Sequence, residues 1–318
     1  MKKLLLLYTG GTIGMVQDQK GILVPFDFNN ITENVPELSR LDYQVVVISF
    51  DPILDSSNMN MDTWIEMASI IEKNYDDYDG FVILHGSDTM AYTASALSFM
   101  LENLAKPVIL TGSQLPIGEI RTDAKENLIT SVEIASAHKN GVPVISEVCL
   151  YFEYQLFRAN RTTKISAEQF EAFASMNFPP LAESGVHLKF NQSLIQRKSN
   201  KEQSLVIRKK LVDDIVILKL FPGITNMVIE SILNTSNLKG VLKGLLEGNS
   251  CVGKPTLDNS VSSFKTLPEK KLSISFFACW FNTEKSIIPD FCIRLVSILL
   301  ENDLLMLLGS ESISKYFF

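Results

Sequence analysis

The sequence predicts an α/β protein, with a large N-terminal domain built on a parallel sheet and a smaller α/β C-terminal domain. Short apolar runs alternate with segments of helical periodicity through the N-terminal half, which is typical of a parallel sheet covered by helices. The polar stretch NQSLIQRKSNKEQS at 191–204 interrupts this alternation, and a new strand and helix pattern follows it. The predicted organisation is therefore a domain at 1–190, a linker at 191–204 and a domain at 205–318.

The apolar run near the N-terminus is the first predicted strand. MKKLLLLY resembles the start of an export signal, but such a signal needs about 7–15 apolar residues and then a cleavage site. Here four leucines and Tyr8 lead directly into Thr9 and Gly10. The run is therefore predicted to be a fully buried strand, Lys3–Tyr8, and neither an export signal nor a membrane span.

The remaining elements follow in order along the chain. The other predicted strands of the first domain are Tyr43–Phe50, Gly80–His85, Pro107–Thr111 and Val142–Tyr151. The predicted helices between them are Met61–Tyr75, Thr89–Leu104 and Thr122–His138. In the second domain we predict a strand at Asp214–Leu220, a turn at Pro222-Gly223, a helix at Asn226–Leu233, a strand at Leu272–Phe281 and a helix at Phe291–Leu308.

The composition narrows the classes of partner. The formal net charge is −7 and the longest basic run is Arg208-Lys209-Lys210, so a nucleic-acid partner is not expected. The four cysteines form no CxxC pair and there are three histidines, so we expect no metal site. With no export signal, the cysteines are expected to be reduced thiols in a cytoplasmic protein that does not bind membranes.

Polar and small residues follow four of the predicted strands. They are Thr9-Gly10-Gly11-Thr12 after the first, 50–58 (FDPILDSSN) after the second, His85-Gly86-Ser87-Asp88-Thr89 after the third and Thr111-Gly112-Ser113-Gln114 after the fourth. Because ligands collect at the carboxyl ends of parallel strands, these loops predict a site for a small polar molecule.

Several of these residues have two interpretations. The first loop lacks both GxxxxGK and GxGxxG, which leaves either a tight turn or a Thr12 hydroxyl set among glycines whose N–H groups stabilise a ligand oxygen. Asp88 or Thr89 fits a helix N-cap as well as a ligand-binding position. His85 is expected to be a core histidine, because no GxSxG motif supports a hydrolase triad. Lys164 is either a solvated lysine or the partner of Ser87 and Asp88.

Longer motifs identify a family. YTGGTIGM, PILDSSNM, DYDGFVILHGSDTMAYTASALSFMLENLAKPVILTGSQ, RANRTTK and FEAFASMNFPPL resemble the bacterial-type L-asparaginase family, in its cytoplasmic type I branch. The resemblance runs through residues 1–190 and resumes over DDIVILKLFPGITNMVIESIL. It implies a homotetramer made of two intimate dimers and amide hydrolysis of a small-molecule substrate, L-asparagine, without a metal or cofactor.

The resemblance also implies roles for individual residues. Thr12 would be the nucleophile that attacks the side-chain carboxamide and forms an acyl-enzyme. Ser87, Asp88 and Lys164 would form a second catalytic cluster, in which Asp88 also binds the α-amino group. The residues that would bind the substrate are Asp55 and Ser56, which would hold the α-carboxylate, together with Gly11 and Gly86.

Three features depart from the family pattern. Ser87 stands where the family usually has a threonine, which keeps the hydroxyl but not the restraint of a β-branched side chain. Ile22 or Leu23 stands where the family often has a tyrosine that helps to activate the nucleophile. The family pattern fades after about residue 238, which indicates a reading-frame slip or decayed copy, or alternatively a divergent C-terminal domain.

Two further functions remain as alternatives. One is the amidotransferase subunit of the same superfamily that acts on tRNA-bound substrate; the acidic chain, which begins shortly before its glycine loop, argues against it. The other is an inactive relative that keeps Asp55, Ser56 and Asp88 and binds an amino acid without turnover.

Overall fold

The computed structural model describes residues 2–17, 23–25, 35–40, 43–195 and 204–245. The chain divides into two compact units, Met1–Lys209 and Lys210–Phe318. This division falls a few residues beyond the end of the predicted linker at 191–204.

The strands and helices are numbered here in chain order. The strands are β1 (Lys2–Gly10), β2 (Met15–Gln17), β3 (Leu23–Pro25), β4 (Tyr43–Leu54), β5 (Gly80–Leu84), β6 (Leu101–Glu102), β7 (Val108–Thr111), β8 (His138–Lys139), β9 (Val142–Pro143), β10 (Val148–Phe152), β11 (Gln155–Arg158), β12 (Thr163–Lys164), β13 (Phe173–Ala174), β14 (Ala182–Ser184), β15 (Leu188–Phe190), β16 (Val206–Ile207), β17 (Ile215–Leu220) and β18 (Gly240–Leu245). The α-helices are α1 (Met61–Asn74), α2 (Met90–Met100), α3 (Ala124–Ser136) and α4 (Asn226–Leu233).

A mostly parallel sheet of eight strands forms the centre of the first unit, in the order β15-β14-β11-β10-β7-β5-β1-β4. The strands from β10 to β4 are parallel to their neighbours, which confirms the predicted α/β fold with a parallel sheet. An antiparallel edge formed by β11, β14 and β15 extends the sheet and was not predicted.

The apolar runs are buried on both faces of the sheet. Leu4, Leu6 and Tyr8 of β1 belong to a core cluster with residues of α3 such as Leu128. The alternate leucines of β1 are equally buried, and because alternate side chains of a strand point to opposite faces, they face the other side. There α2 packs on β7 and β10 and is in contact with α1. Helices on both faces explain why the strands are continuous hydrophobic runs.

The predicted strand Val142–Tyr151 is two strands in the structure. Val142–Pro143 pairs antiparallel with His138–Lys139, so the predicted helix Thr122–His138 also ends earlier, at Ser136. Asn140 and Gly141 both have positive φ, at 53° and 77°, in the two-residue turn between these short strands. Positive φ at both positions is the conformation of a type I′ turn, for which Asn-Gly is the preferred sequence. The main strand then begins at Val148.

The second unit contains a parallel β-α-β element. β17 and β18 are parallel and in register from Ile215 with Gly240 to Leu220 with Leu245. The connecting helix α4 spans the predicted Asn226–Leu233, and Gly223, at φ 93°, lies in the predicted turn. The predicted elements Leu272–Phe281 and Phe291–Leu308 lie outside the described residues. Within the described ranges, no helix has the length and apolar character needed to cross a membrane.

Candidate active site

Three strand-end loops of the first unit meet at the carboxyl edge of the sheet. A Cβ atom on Gly11, after β1, would lie 2.5 Å from the Cα of Gly86, after β5. A Cβ atom on Gly86 would in turn lie 2.5 Å from the Oγ of Ser56, after β4. Real Cβ atoms are not found this close to other heavy atoms, so the approach of these loops depends on the two glycines.

Thr12 is carried by a tight turn that begins at these glycines. Gly11 has φ 92°, a left-handed conformation that glycine adopts without strain, and the 3₁₀ turn Thr12–Gly14 follows it. The N–H of Gly14 donates to the carbonyl of Gly11 at 3.1 Å. The two interpretations of this loop are therefore compatible, because the tight turn carries a partly buried Thr12 directly after Gly11, whose backbone lies against that of Gly86.

The segment after Thr12 returns as a short hairpin of β2 and β3. Gln17 on β2 is paired with Leu23 on β3, which is one of the two residues at the position of the family's usual tyrosine. The other, Ile22, lies outside the described residues. In the described ranges, no hydrogen bond reaches the Thr12 hydroxyl.

Asp55 and Ser56 stand at the end of β4 with different surroundings. The carboxylate of Asp55 accepts a hydrogen bond from the N–H of Ser57 at 2.9 Å and caps a 3₁₀ turn. This hydrogen bond lowers the pKa of Asp55, so the exposed carboxyl is anionic at neutral pH. Ser56 is buried, and its carbonyl accepts a 2.6 Å hydrogen bond from the Thr89 hydroxyl. The loops after β4 and β5 are thereby tied together.

Lys164 meets both Ser87 and Asp88. Its Nζ lies 2.9 Å from Ser87 Oγ and 2.7 Å from Asp88 Oδ1. The Lys164 side chain is 16% exposed, whereas that of Asp88 is 68% exposed. The cluster therefore has a largely buried cation and a carboxylate open to solvent.

Thr89 does not have the capping role that the sequence allowed, because its side chain makes no cap hydrogen bond and binds the Ser56 carbonyl instead.

His85, two residues before Ser87, is a core residue, as expected. It is fully buried, with Nδ1 2.7 Å from the carbonyl of Gly86 and Nε2 2.8 Å from the hydroxyl of Thr93. The Thr93 oxygen accepts the indole N–H of Trp64 at 3.0 Å, so its own proton is available to Nε2. Burial lowers the pKa of His85 to about 4. A neutral histidine with both ring nitrogens occupied supports the loop and is not placed to act as a base.

Gln114 joins the cluster from the loop after β7, and sequence reasoning gave it no role. Its Oε1 lies 3.3 Å from Ser87 Oγ, and its Nε2 donates to the carbonyl of Gln169 at 2.9 Å. Its backbone N–H donates at 2.8 Å to the buried carboxylate of Asp123, whose pKa is raised by burial. Position in a strand-end loop was the signal that pointed to Gln114, whereas no pattern pointed to Asp123.

The arrangement combines the groups that hydrolysis of a polar substrate needs. The Lys164 ammonium favours negative charge on a neighbouring oxygen, and the exposed Asp88 carboxylate can bind a ligand ammonium group. Ser56 and Ser87 add hydroxyl groups, and Gly11 and Gly86 allow the backbone to approach a ligand closely. Among the described residues, no group of His, Cys, Asp and Glu side chains is placed to hold a metal ion.

Comparisons with known proteins show which family the sequence matches. Residues 3–196 match the family model described as "Asparaginase, N-terminal". The chain is 41% identical over 258 residues to L-asparaginase 1 of Escherichia coli K12, a match that covers 80% of this chain and 74% of that protein. It is 39% identical over 279 residues to the 60 kDa lysophospholipase of Mus musculus, covering 80% of this chain and 48% of that protein, so the chain spans about half the length of this relative.

A solved structure shows the same similarity. The crystal structure of L-asparaginase I from Vibrio cholerae superimposes with a TM-score of 0.68 at 38% sequence identity, over 79% of this chain and 74% of that one. These matches cover about four fifths of the chain.

Proposed function

Because the chain belongs to the asparaginase family, we propose that it is an L-asparaginase, which hydrolyses L-asparagine to L-aspartate and ammonia. The observation that carries the proposal is the contact of Lys164 with Ser87 and Asp88, immediately next to the glycine turn that presents Thr12. A nucleophile turn, a buried cation and an exposed carboxylate together fit a small substrate that carries an amide and an ammonium group.

The proposed substrate has two charged groups, and different residues bind each of them. The ammonium group of asparagine is held by the Asp88 carboxylate, and its α-carboxylate by the Ser56 hydroxyl and the backbone N–H groups of these loops. The predicted role of Asp55 in holding the α-carboxylate is indirect in this proposal. Its anionic side chain would repel a second carboxylate, but it caps the turn that positions Ser56.

The reaction proceeds in two steps. The Thr12 oxygen attacks the side-chain carbonyl carbon, and the C–N bond breaks as the threonine proton passes to the leaving ammonia. Water then attacks the resulting ester, which releases aspartate and returns a proton to Thr12. In the second step the hydroxyl of Ser87, held by Lys164, orients the attacking water, and the lysine charge stabilises the negative oxygen that develops.

The family also supports an assembly and a location. We propose a homotetramer built as a dimer of dimers in the cytoplasm, because the type I resemblance implies both. Size-exclusion chromatography with light scattering would give the mass of the assembly, and a monomer would remove this part of the proposal.

The experiment that tests the activity is ammonia release by the purified full chain. We expect ammonia from L-asparagine and a slower release from L-glutamine. Since one relative is a lysophospholipase, fatty acid release from lysophosphatidylcholine is measured in parallel, and activity on that ester alone would overturn the proposal. A rise in melting temperature with asparagine, without ammonia, would instead identify an inactive amino-acid binder.

A further inference from the structure

We propose that Gln114 is a positioning residue that holds the Ser87 hydroxyl in one rotamer and turns its proton away from Lys164. This inference rests on the proposed function for its kinetic test. It also has a structural test that does not depend on activity.

The direction of the hydrogen bonds around Gln114 follows from the chemistry of its partners. The carbonyl of Gln169 accepts hydrogen bonds and donates none, so the amide nitrogen of Gln114 faces it, at 2.9 Å. The amide oxygen therefore faces Ser87, at 3.3 Å. Because that oxygen can only accept, the Ser87 hydroxyl donates its proton to Gln114.

Lys164 is the second partner of the same hydroxyl. An ammonium group has donors and no acceptor, so at 2.9 Å the Ser87 oxygen accepts from Lys164. Ser87 thus lies in a directed chain, in which Lys164 donates to Ser87 and Ser87 donates to Gln114. The lone pairs of Ser87 are polarised by the lysine, and its proton points to Gln114.

Ser87 needs such a partner because its side chain has little restraint of its own. A serine has no branch at Cβ, so all three staggered positions of its hydroxyl are open. Lys164 alone would not fix it, since the lysine is shared with Asp88, which is largely exposed.

Gln114 is well suited to supply the missing restraint. Its side chain is tied to the backbone of Gln169, and its own backbone N–H is tied to the buried Asp123. The same carboxylate accepts the N–H of Leu115 at 3.0 Å. The amide that accepts the hydrogen bond from Ser87 is therefore fixed through both the side chain and the backbone of Gln114.

The contact with Ser87 restrains the hydroxyl without removing its proton. An amide oxygen is not a base at neutral pH, and 3.3 Å is longer than the usual O–H···O distance of about 2.5–3.0 Å. The proton can therefore turn towards water or substrate during the reaction. Removal of Gln114 should lower kcat with little change in KM, because the effect arises at the reacting groups and not in substrate binding.

The test is a double-mutant cycle between Gln114→Met and Ser87→Thr. Methionine keeps the length of glutamine but removes both amide contacts, and we expect about a tenfold fall in kcat, the equivalent of one hydrogen bond. In the S87T background the γ-methyl group restricts the rotamer, so the same change should cost less than about threefold. Gln155→Met, a glutamine of similar burial on β11, is the matched control and should keep the wild-type kcat.

An equal loss of kcat in both backgrounds would overturn the inference. Crystal structures of the wild type and Q114M give the second test, in which Ser87 should show one rotamer in the wild type and several in the variant. A single unchanged rotamer in Q114M would also overturn it. If Q114M does not fold, Gln114→Ala serves in both tests. Should the wild type release no ammonia, the proposed function fails, and the rotamers still decide the role of Gln114.

Discussion

The ammonium group of Lys164 lies 2.9 Å from the hydroxyl of Ser87, although 77 positions separate the two residues in the sequence. Ser87 follows strand β5 of the eight-stranded sheet, whereas Lys164 is on the two-residue strand β12, which pairs with β13 in a separate two-stranded sheet. The first unit therefore brings a cation from outside the parallel sheet to the loops at its carboxyl edge.

Removal of the lysine charge should slow the reaction without unfolding the protein. In Lys164→Met, Asp88 and Ser87 lose their shared donor, and we expect kcat for asparagine to fall about 10²–10³-fold, the range for loss of one donor that stabilises a developing negative oxygen. Thermal unfolding should change little, because Asp88 is largely exposed and remains hydrated. Lys209→Met removes a lysine from an exposed ion pair with Glu72 and is the matched control. Equal kcat in the two variants would contradict the role of Lys164.

A methyl group on Gly86 should weaken substrate binding. Its Cβ would lie 2.5 Å from Ser56 Oγ, so the Ser56 side chain must move away from the substrate carboxylate. Loss of one such hydrogen bond corresponds to a rise of about tenfold in KM for asparagine. Gly118→Ala is the control, because its Cβ would make an ordinary 3.6 Å contact with Val16. An unchanged KM in Gly86→Ala would mean that Ser56 does not bind the substrate.

Gly11→Ala should destabilise the protein more than Gly141→Ala. Both positions have positive φ, at 92° and 77°, which costs an alanine roughly 1–3 kcal/mol. A Cβ on Gly11 would also lie 2.5 Å from the backbone of Gly86, whereas no atom lies within 4 Å of a Cβ on Gly141. Chemical denaturation of the two variants measures the difference, to which the steric overlap of Gly11 with Gly86 contributes. Equal loss of stability would show that the loops are not in contact.

Glu153 should make stability depend on pH. It borders a cavity of about 500 Å³ lined in part by Phe152, Phe173 and Glu171. Burial first, and then the charges of Asp123, Glu126 and Glu171, raises the pKa of Glu153 from 4.5 to about 7. Between these values the folded protein holds a proton that the unfolded chain has released, so the contribution of Glu153 to stability falls as pH rises from about 4.5 to about 7.

The variant Glu153→Gln removes this effect. Relative to the wild type, its melting temperature should be higher at pH 8 and similar at pH 4. His85 acts in the opposite direction, since its pKa is lowered to about 4, but it is present in both proteins and cancels in the comparison. A difference in melting temperature that does not change with pH would contradict the raised pKa of Glu153.

The central fold was predictable because its signals are local. Fully buried parallel strands are continuous apolar runs, and the helices between them have apolar residues at helical spacing. The helix Asn226–Leu233 was predicted with its observed bounds for the same reason. The hairpin at Asn140-Gly141 also has a local signal, the Asn-Gly pair, which lies between the predicted helix Thr122–His138 and the predicted strand Val142–Tyr151. The two strands that flank the pair are two residues long, too short for a periodic pattern.

The antiparallel edge could not be predicted in this way. β11, β14 and β15 are three or four residues long, too short for a periodic pattern. The pairing of β11 with β14, which attaches the hairpin of β14 and β15 to the sheet, joins segments that are distant in sequence, such as Gln155 and Glu183.

The candidate site was also predictable only in part. The meeting of the strand-end loops follows from parallel topology. The contact of Lys164 with Ser87 was expected only through the family resemblance, and the contact of Gln114 with Ser87 depends on tertiary packing.

The central claim is that Thr12 is the nucleophile, and ammonia release by Thr12→Ala and Thr12→Ser tests it most directly. Serine keeps a hydroxyl at the position and alanine removes it, while both leave the Gly11 turn unchanged. The proposed mechanism predicts that T12A binds asparagine, as shown by a raised melting temperature, but releases no ammonia, and that T12S retains measurable release. Ammonia release by T12A at the wild-type rate would contradict a threonine nucleophile at this position.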